Sequence, residues 1–199
     1  SEVSNSTYSD EVKKNTPHQF IEAYIAEQNM IGMALGLSKK GFNVFASSFA
    51  ALLSRSHDQL RMVALSNPNL TICGSHAGVS IGEDGPSQMA IEDIAMFRSL
   101  NNSIVLYPCD AVSTEKLTSA AATHNGISYI RTTRGATPVL YENNHEFHVG
   151  GSSVLTSSPN DKILVVAAGI TVHEALKAKE LSAIPLRVLA AYSIKPIDV

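Results

Sequence analysis

The sequence predicts an α/β fold: a mostly parallel sheet with helices on both faces, followed by the start of a second α/β domain. Three observations carry that reading. Short runs such as Ser103–Tyr107 (SIVLY) and Ile127–Arg131 (ISYIR) are apolar at successive positions rather than alternate ones, as in strands buried on both faces. Segments with helical spacing separate these runs, which is the βαβα pattern of a parallel sheet. After a polar stretch the alternation resumes over Lys162–Ala190 but supplies a single βαβ unit, too little to bury both faces of its own sheet. A length of 199 residues with 44% hydrophobic content suits one medium domain plus part of another.

The elements follow in order. Ser9-Asp10-Glu11 opens a helix with acidic residues in its first turn, and Pro17 closes it. Phe20–Ile25 (FIEAYI) is expected as a short strand. Asn29–Lys40 carries apolar residues at helical spacing, with Lys39 and Lys40 in the last turn and Gly41 as its cap. Val44–Ser47 is expected as a buried strand, Phe49–Leu65 as one long helix and Leu70–Gly74 as another strand. A glycine-rich loop spans Ser75–Pro86, a helix Ser87–Ser99, a strand Ser103–Tyr107, a helix Ser113–His124 and a strand Ile127–Arg131. Residues 142–150 are polar and aperiodic, which divides the chain into a first domain over 1–141, a linker over 142–150 and an incomplete second domain over 151–199. In the last, Lys162–Ala168 and Leu186–Ala190 are expected strands around a helix over Thr171–Leu181.

Composition narrows the function. A net charge of −3 and a pI near 6.1 supply no basic field for nucleic acid. No apolar run reaches the roughly 20 residues needed to span a bilayer, and Ser1–Asn5 lacks the basic and apolar regions of a signal peptide. Two cysteines, Cys73 and Cys109, make no disulfide framework and favour a reduced, cytoplasmic setting.

Ligands of open parallel sheets sit at the carboxyl ends of the strands. The polar residues expected there are Glu27 after the first strand, Ser47-Ser48 before Phe49, Ser75-His76, Asp110, and Arg131 with Arg134. Singly, each is most simply a helix cap or surface residue; together they put a carboxylate, a histidine, arginines and an aromatic ring on one edge. Glu27 lies between apolar segments, and a buried carboxyl needs a partner or a proton. It either caps the following helix or donates to a ring nitrogen of a ligand. The stretch Gly74–Pro86 has four glycines in thirteen residues, with His76 and Asp84 as polar handles. It is neither a Walker A loop nor a dinucleotide fingerprint, and His76, Glu83 and Asp84 lack zinc spacing, so no residue is nominated as a metal ligand. His124 and His173 fall on helices, where a surface position is expected, and His57 is expected to pack or face solvent.

At this point the motifs resemble those of transketolase, in the form found in animals. The matching residues are Ile25-Ala26-Glu27-Gln28-Asn29-Met30, Phe49-Ala50-Ala51 and Asp58-Gln59-Leu60-Arg61-Met62. They continue with Gly74-Ser75-His76, Gly78-Val79-Ser80, Gly82-Glu83-Asp84-Gly85-Pro86-Ser87-Gln88, Ala95-Met96-Phe97-Arg98-Ser99, Ile130-Arg131-Thr132 and Ile194-Lys195-Pro196. The resemblance runs through essentially the whole chain. It implies the thiamine-diphosphate-binding fold, with residues 1–141 as most of a pyrimidine-binding domain lacking its first strand and helix.

By resemblance, Glu27 would hydrogen-bond the aminopyrimidine ring nitrogen, which calls for a carboxyl able to hold a proton in a dry cleft. Phe49 would pack on the pyrimidine and Gln88 would hydrogen-bond the cofactor. His76, Arg134 and Ser6 would bind the sugar phosphate, Arg134 offering a planar cationic fork, and Asp84 would take a substrate hydroxyl. Leu52 stands where relatives carry a second aromatic. The cofactors implied are thiamine diphosphate and Mg²⁺, held by a diphosphate-binding domain of the same enzyme or of a second subunit, in a homodimer. The reaction implied is transfer of a two-carbon ketol unit between sugar phosphates. Alternatives are a deoxyxylulose-phosphate synthase, a ketoacid dehydrogenase β-subunit, or a silent partner chain of the same fold.

Overall fold

A computed structural model describes residue 1 and residues 3–198. Helix α1 (Asp10–Asn15) precedes α2 (Glu27–Lys39), β1 (Val44–Phe49), α3 (His57–Leu65) and β2 (Asn69–Ser75). Then come α4 (Asp93–Ser99), β3 (Ser103–Leu106), α5 (Ala111–Ala122) and β4 (Gly126–Arg131). The remainder holds β5 (Ser153–Thr156), β6 (Ile163–Ala167), α6 (Ile170–Leu181), β7 (Leu186–Ala190) and β8 (Ser193–Lys195). The first sheet has the order β1-β2-β4-β3-β8, parallel except for β8, which runs antiparallel to β3. The second has the order β5-β7-β6, with β6 and β7 parallel and β5 antiparallel.

The continuous apolar runs explain the layering. Every residue of β3 and β4 is buried, because successive side chains point to opposite faces and both faces are covered. One face packs Ile31, Leu60, Ile72, Phe97, Val105 and Tyr129 together. The other packs Ile104, Leu106, Leu117, Ile130 and Tyr192. Burial of each such side chain contributes about 1.5–3 kcal/mol. Helix α5 starts at a capping box in which Ser113 N–H donates to Asp110 Oδ1 at 2.8 Å. The Asp110 carboxylate also accepts the amides of Leu140 and Tyr141. Burial alone would raise this carboxyl, but the hydroxyl and amide donors hold it below its ordinary value. Asp110 is thus a cap that ties residues 140–141 to the first sheet.

Several expected elements are corrected. Phe20–Ile25 forms no strand; Tyr24 takes φ 53° and Ile21, Tyr24 and Ile25 are exposed, so the run is broken and has no ladder partner. Phe49–Leu65 is not one helix: β1 extends to Phe49, a 3₁₀ turn covers Leu52–Ser56, and α3 begins at His57. The hydroxyls of Ser54 and Ser56 donate back to the carbonyls of Ala51 and Leu53, a local competition that disfavours regular helix. The helix expected over Ser87–Ser99 starts at Asp93, because Ala90 pairs in parallel with Ala77. His173 is buried, with Nε2 at 2.7 Å from the carbonyl oxygen of Cys109. In the polar stretch after residue 141, Phe147 packs edge-on against both Tyr141 and Tyr192.

Candidate active site

The first sheet brings the ends of β1, β2 and β4 side by side. Phe49 is the last residue of β1 and lies in register with Ser75 at the end of β2. His76 follows with φ 57°, and its imidazole stacks on the Phe49 ring at 4.1 Å and 24°. Its Nδ1 is 3.0 Å from Ser75 Oγ. Three residues beyond β4, Arg134 donates through Nη1 to the Ile81 carbonyl at 3.2 Å. The same nitrogen is 3.5 Å from Asp84 and 3.8 Å from Glu83. Arg134 and Asp84 stay about two-fifths exposed, so these pairs are weak and replaceable by a better anion.

A cavity of about 280 Å³ is lined by Asn5, Ser6, Tyr8, Phe49, His76, Asp84 and Arg134. It brings together Ser6, Phe49, His76, Asp84 and Arg134, five of the nominated residues. Asn5 and Tyr8 also line it, unforeseen from sequence. Asn5 Oδ1 accepts the Ser6 amide at 2.8 Å, and Tyr8 takes φ 57°. Burial and the nearby Arg134 guanidinium hold His76 below its ordinary value of 6.5, with Asp84 opposing, so the imidazole is neutral at pH 7.

Glu27 does not line this cavity. It is the first residue of α2 and only 2% exposed. Its Oε1 receives long contacts from the hydroxyls of Ser48 and Ser1, each 3.4 Å, and Ser48 is the neighbour of Phe49. Its Oε2 has no hydrogen-bond partner among the described residues. That same oxygen is ion-paired at 3.5 Å with Nη1 of the half-exposed Arg55, a residue that sequence reading did not single out. The carboxyl caps nothing, so the cap alternative falls away. Gln88 lies in a short 3₁₀ turn, Pro86–Gln88, and its Oε1 is likewise enclosed without a hydrogen-bond partner. Gln59, Asn69, Thr71, His124 and Tyr141 carry buried polar atoms in the same condition. The cysteines offer no chemistry: burial pushes Cys73 up to about 12 and Cys109 to about 11, so neither is a thiolate at neutral pH. Among the described residues no group of three or more His, Cys, Asp or Glu is arranged for a metal.

A protein-family model for "Transketolase, pyrimidine binding domain" matches residues 1–139. The chain belongs to the transketolase pyrimidine-binding domain family. It is 51% identical over 201 residues to transketolase of Homo sapiens, covering 99% of this chain and 32% of that protein. It is 50% identical to transketolase-like protein 1 of Bos taurus, covering 99% and 34%. The chain thus spans about a third of the length of the curated relatives it matches. Among solved structures, a split-gene transketolase described as an inactive β4 tetramer superposes with a TM-score of 0.83 at 36% identity, over 98% of this chain and 64% of that one. A Campylobacter jejuni transketolase shares the fold, with a TM-score of 0.80 at 23% identity over 88% and 28%. The mostly parallel α/β architecture expected of a transketolase pyrimidine-binding domain is the one found.

Proposed function

We propose that the chain supplies the pyrimidine-binding half of a transketolase active site. The reaction is transfer of a two-carbon ketol group from a ketose phosphate such as xylulose 5-phosphate to an aldose phosphate such as ribose 5-phosphate. The observation that carries the proposal is the convergence of Ser6, Phe49, His76, Asp84 and Arg134 on one cavity, with the buried Glu27 carboxyl reached through Ser48, the neighbour of Phe49. Residues 1–141 are the pyrimidine-binding domain, 142–150 the linker and 151–199 the opening of the C-terminal domain.

The roles follow from chemistry. Thiamine diphosphate, when bound, would supply a nucleophilic carbon and an electron sink for cleaving the ketose. The Glu27 carboxyl, shielded from water, would hydrogen-bond the pyrimidine ring nitrogen, Phe49 would pack on the ring, and Gln88 would hydrogen-bond the cofactor. Arg134 and neutral His76 bind the phosphorylated sugar with Ser6, the guanidinium exchanging its weak contacts to Asp84 and Glu83 for phosphate. Asp84, released from Arg134, accepts a substrate hydroxyl. Mg²⁺ and the diphosphate belong to the complementary domain, from the same enzyme or a second subunit, and the working form is a homodimer. The split-gene neighbour, inactive as a β4 tetramer, supports the need for that other half. No described helix is long and apolar enough to cross a membrane; the setting proposed is cytoplasmic, and nucleic acid is not a partner.

The test is complementation. A polypeptide of these 199 residues is expected to show no turnover alone and to gain it when mixed with a transketolase diphosphate-binding polypeptide, thiamine diphosphate and Mg²⁺. Turnover by the chain alone, or none in a mixture that forms a complex, would overturn the assignment.

A further inference from the structure

A buried ion pair lies beside the substrate residues without belonging to them. Arg131 ends β4 and is 6% exposed; Asp93 begins α4 and is 1% exposed. Arg131 donates through Nε to Asp93 Oδ2 at 2.8 Å and through Nη2 to Asp93 Oδ1 at 3.2 Å. Tyr129 O–H donates to the same Oδ2 at 2.7 Å. Two charges removed from water contribute little net stability compared with apolar side chains of similar size, so the pair calls for another explanation.

Its remaining contact supplies one. Arg131 Nη2 also donates to the carbonyl of Ala90 at 3.0 Å, and that oxygen accepts the Gly78 amide at 2.9 Å. Ala77 and Ala90 form the parallel bridge between the two ends of the loop carrying Asp84, with His76 just before it. Both roots of the loop therefore meet at one carbonyl held by Arg131. Gly78 takes φ 80°, and a Cβ there would sit 3.5 Å from Arg131 Nη2, so the backbone turns directly over the guanidinium. From outside the loop, the polar contacts to its tip among the described residues come from Arg134. Those are the contacts a bound phosphate would take away.

We infer that Arg131, locked by Asp93, is a positioning residue for the sugar-phosphate site: it fixes the loop bearing His76 and Asp84 relative to Arg134 when Arg134 turns to substrate. The inference deepens the transketolase reading and rests on it.

The experiment uses the chain assembled with the diphosphate-binding polypeptide, thiamine diphosphate and Mg²⁺. Replacing both partners, Asp93→Leu with Arg131→Met, removes the fork without leaving a buried charge alone, so folding should survive. The KM for xylulose 5-phosphate should rise about 10- to 100-fold, as for a misplaced binding group, with kcat changed far less. Hydrogen exchange of amides 78–90 should quicken while those of β2 and β4 keep their rates. Arg131→Lys keeps the charge without the planar fork, and should raise KM by a smaller factor; it carries the test if the double variant does not fold. Wild-type KM and loop exchange in either folded variant would overturn the inference while leaving transketolase activity in place. A wild-type assembly without turnover would overturn the reading beneath it, and unchanged loop exchange in the same samples would remove the anchor as well.

Discussion

Glu27 and Asp93 are both carboxylates on the first residue of a helix, α2 and α4, and both are shielded from water, at 2% and 1% exposure. Their surroundings differ. Asp93 accepts three bonds of 2.7–3.2 Å from Tyr129 and Arg131. Glu27 has two hydroxyl contacts at 3.4 Å, and its Oε2 makes no hydrogen bond among the described residues but lies 3.5 Å from the half-exposed Arg55 guanidinium. A carboxylate held by close, direct bonds ties the structure together; one with only long contacts can exchange them for a ligand. Burial alone does not separate the two, and the closeness of the contacts does: 2.7–3.2 Å at Asp93 against 3.4–3.5 Å at Glu27.

The comparison is broken most decisively at Glu27. Glu27→Gln keeps the shape but cannot give up and regain a proton, so turnover of the complemented enzyme should fall about 10²–10⁴-fold. The thermal midpoint should hold or rise, because the ion pair with a half-exposed Arg55 at 3.5 Å contributes little to stability. Differential scanning calorimetry beside a coupled assay reads both. Near-normal turnover would remove Glu27 from the chemistry, and a fall in midpoint would make it structural like Asp93.

The converse change is Asp93→Ala. It strands the Arg131 guanidinium in the core, and a broken buried pair costs about 3–5 kcal/mol. Denaturant unfolding should show this cost as a lower midpoint. A cost below about 1 kcal/mol would mean that water reaches Arg131, and that the two carboxylates differ less than their contacts suggest.

A smaller effect is expected from outside the site. Arg131 lies over the Tyr107 ring at 4.6 Å. Gly169, just before α6, takes φ 54° and abuts that ring so closely that a Cβ would overlap it. Gly169→Ala should cost about 1–3 kcal/mol through overpacking. If the Asp93 corner is rigid, the displaced Tyr107 should also quicken exchange in the 78–90 loop. A stable variant with unaltered exchange would show that the ring yields without moving Arg131.

What the sequence made legible follows the same physics. β3 and β4 were readable because continuous apolar runs admit one arrangement, a strand covered on both sides. β5 and β8 were not, being four and three residues long and paired antiparallel with distant segments. His173 was misplaced because the Cys109 carbonyl that takes its ring lies 64 residues away. That Ser6, Phe49, His76, Asp84 and Arg134 would share one cavity was legible through the family resemblance, and the burial of Glu27 through its apolar flanks. Asp93 was not, since an acid in a first helical turn is ordinary. The signal that could have found it is Arg131, a cation ending an apolar strand and so in need of a buried partner, here 38 residues away.

The smallest effect concerns His76, which stands between the two corners, stacked on Phe49 and next to Arg134. Burial first, then Arg134, keeps its folded-state value below the ordinary 6.5. The unfolded chain therefore binds a proton near pH 6.5 that the native state still refuses. By linkage, stability falls as pH drops through that range, and goes on falling until the native imidazole itself titrates. Above the ordinary histidine range both states are neutral and the contribution is fully present. The other histidines add their own slopes, so the quantity to read is the difference between wild type and His76→Gln in thermal midpoint between pH 8 and 5. The variant should lose less stability on acidification, the two curves converging as pH falls. Parallel curves would mean that His76 titrates alike in both states, and that water enters this cavity freely enough to erase the influence of burial and of Arg134.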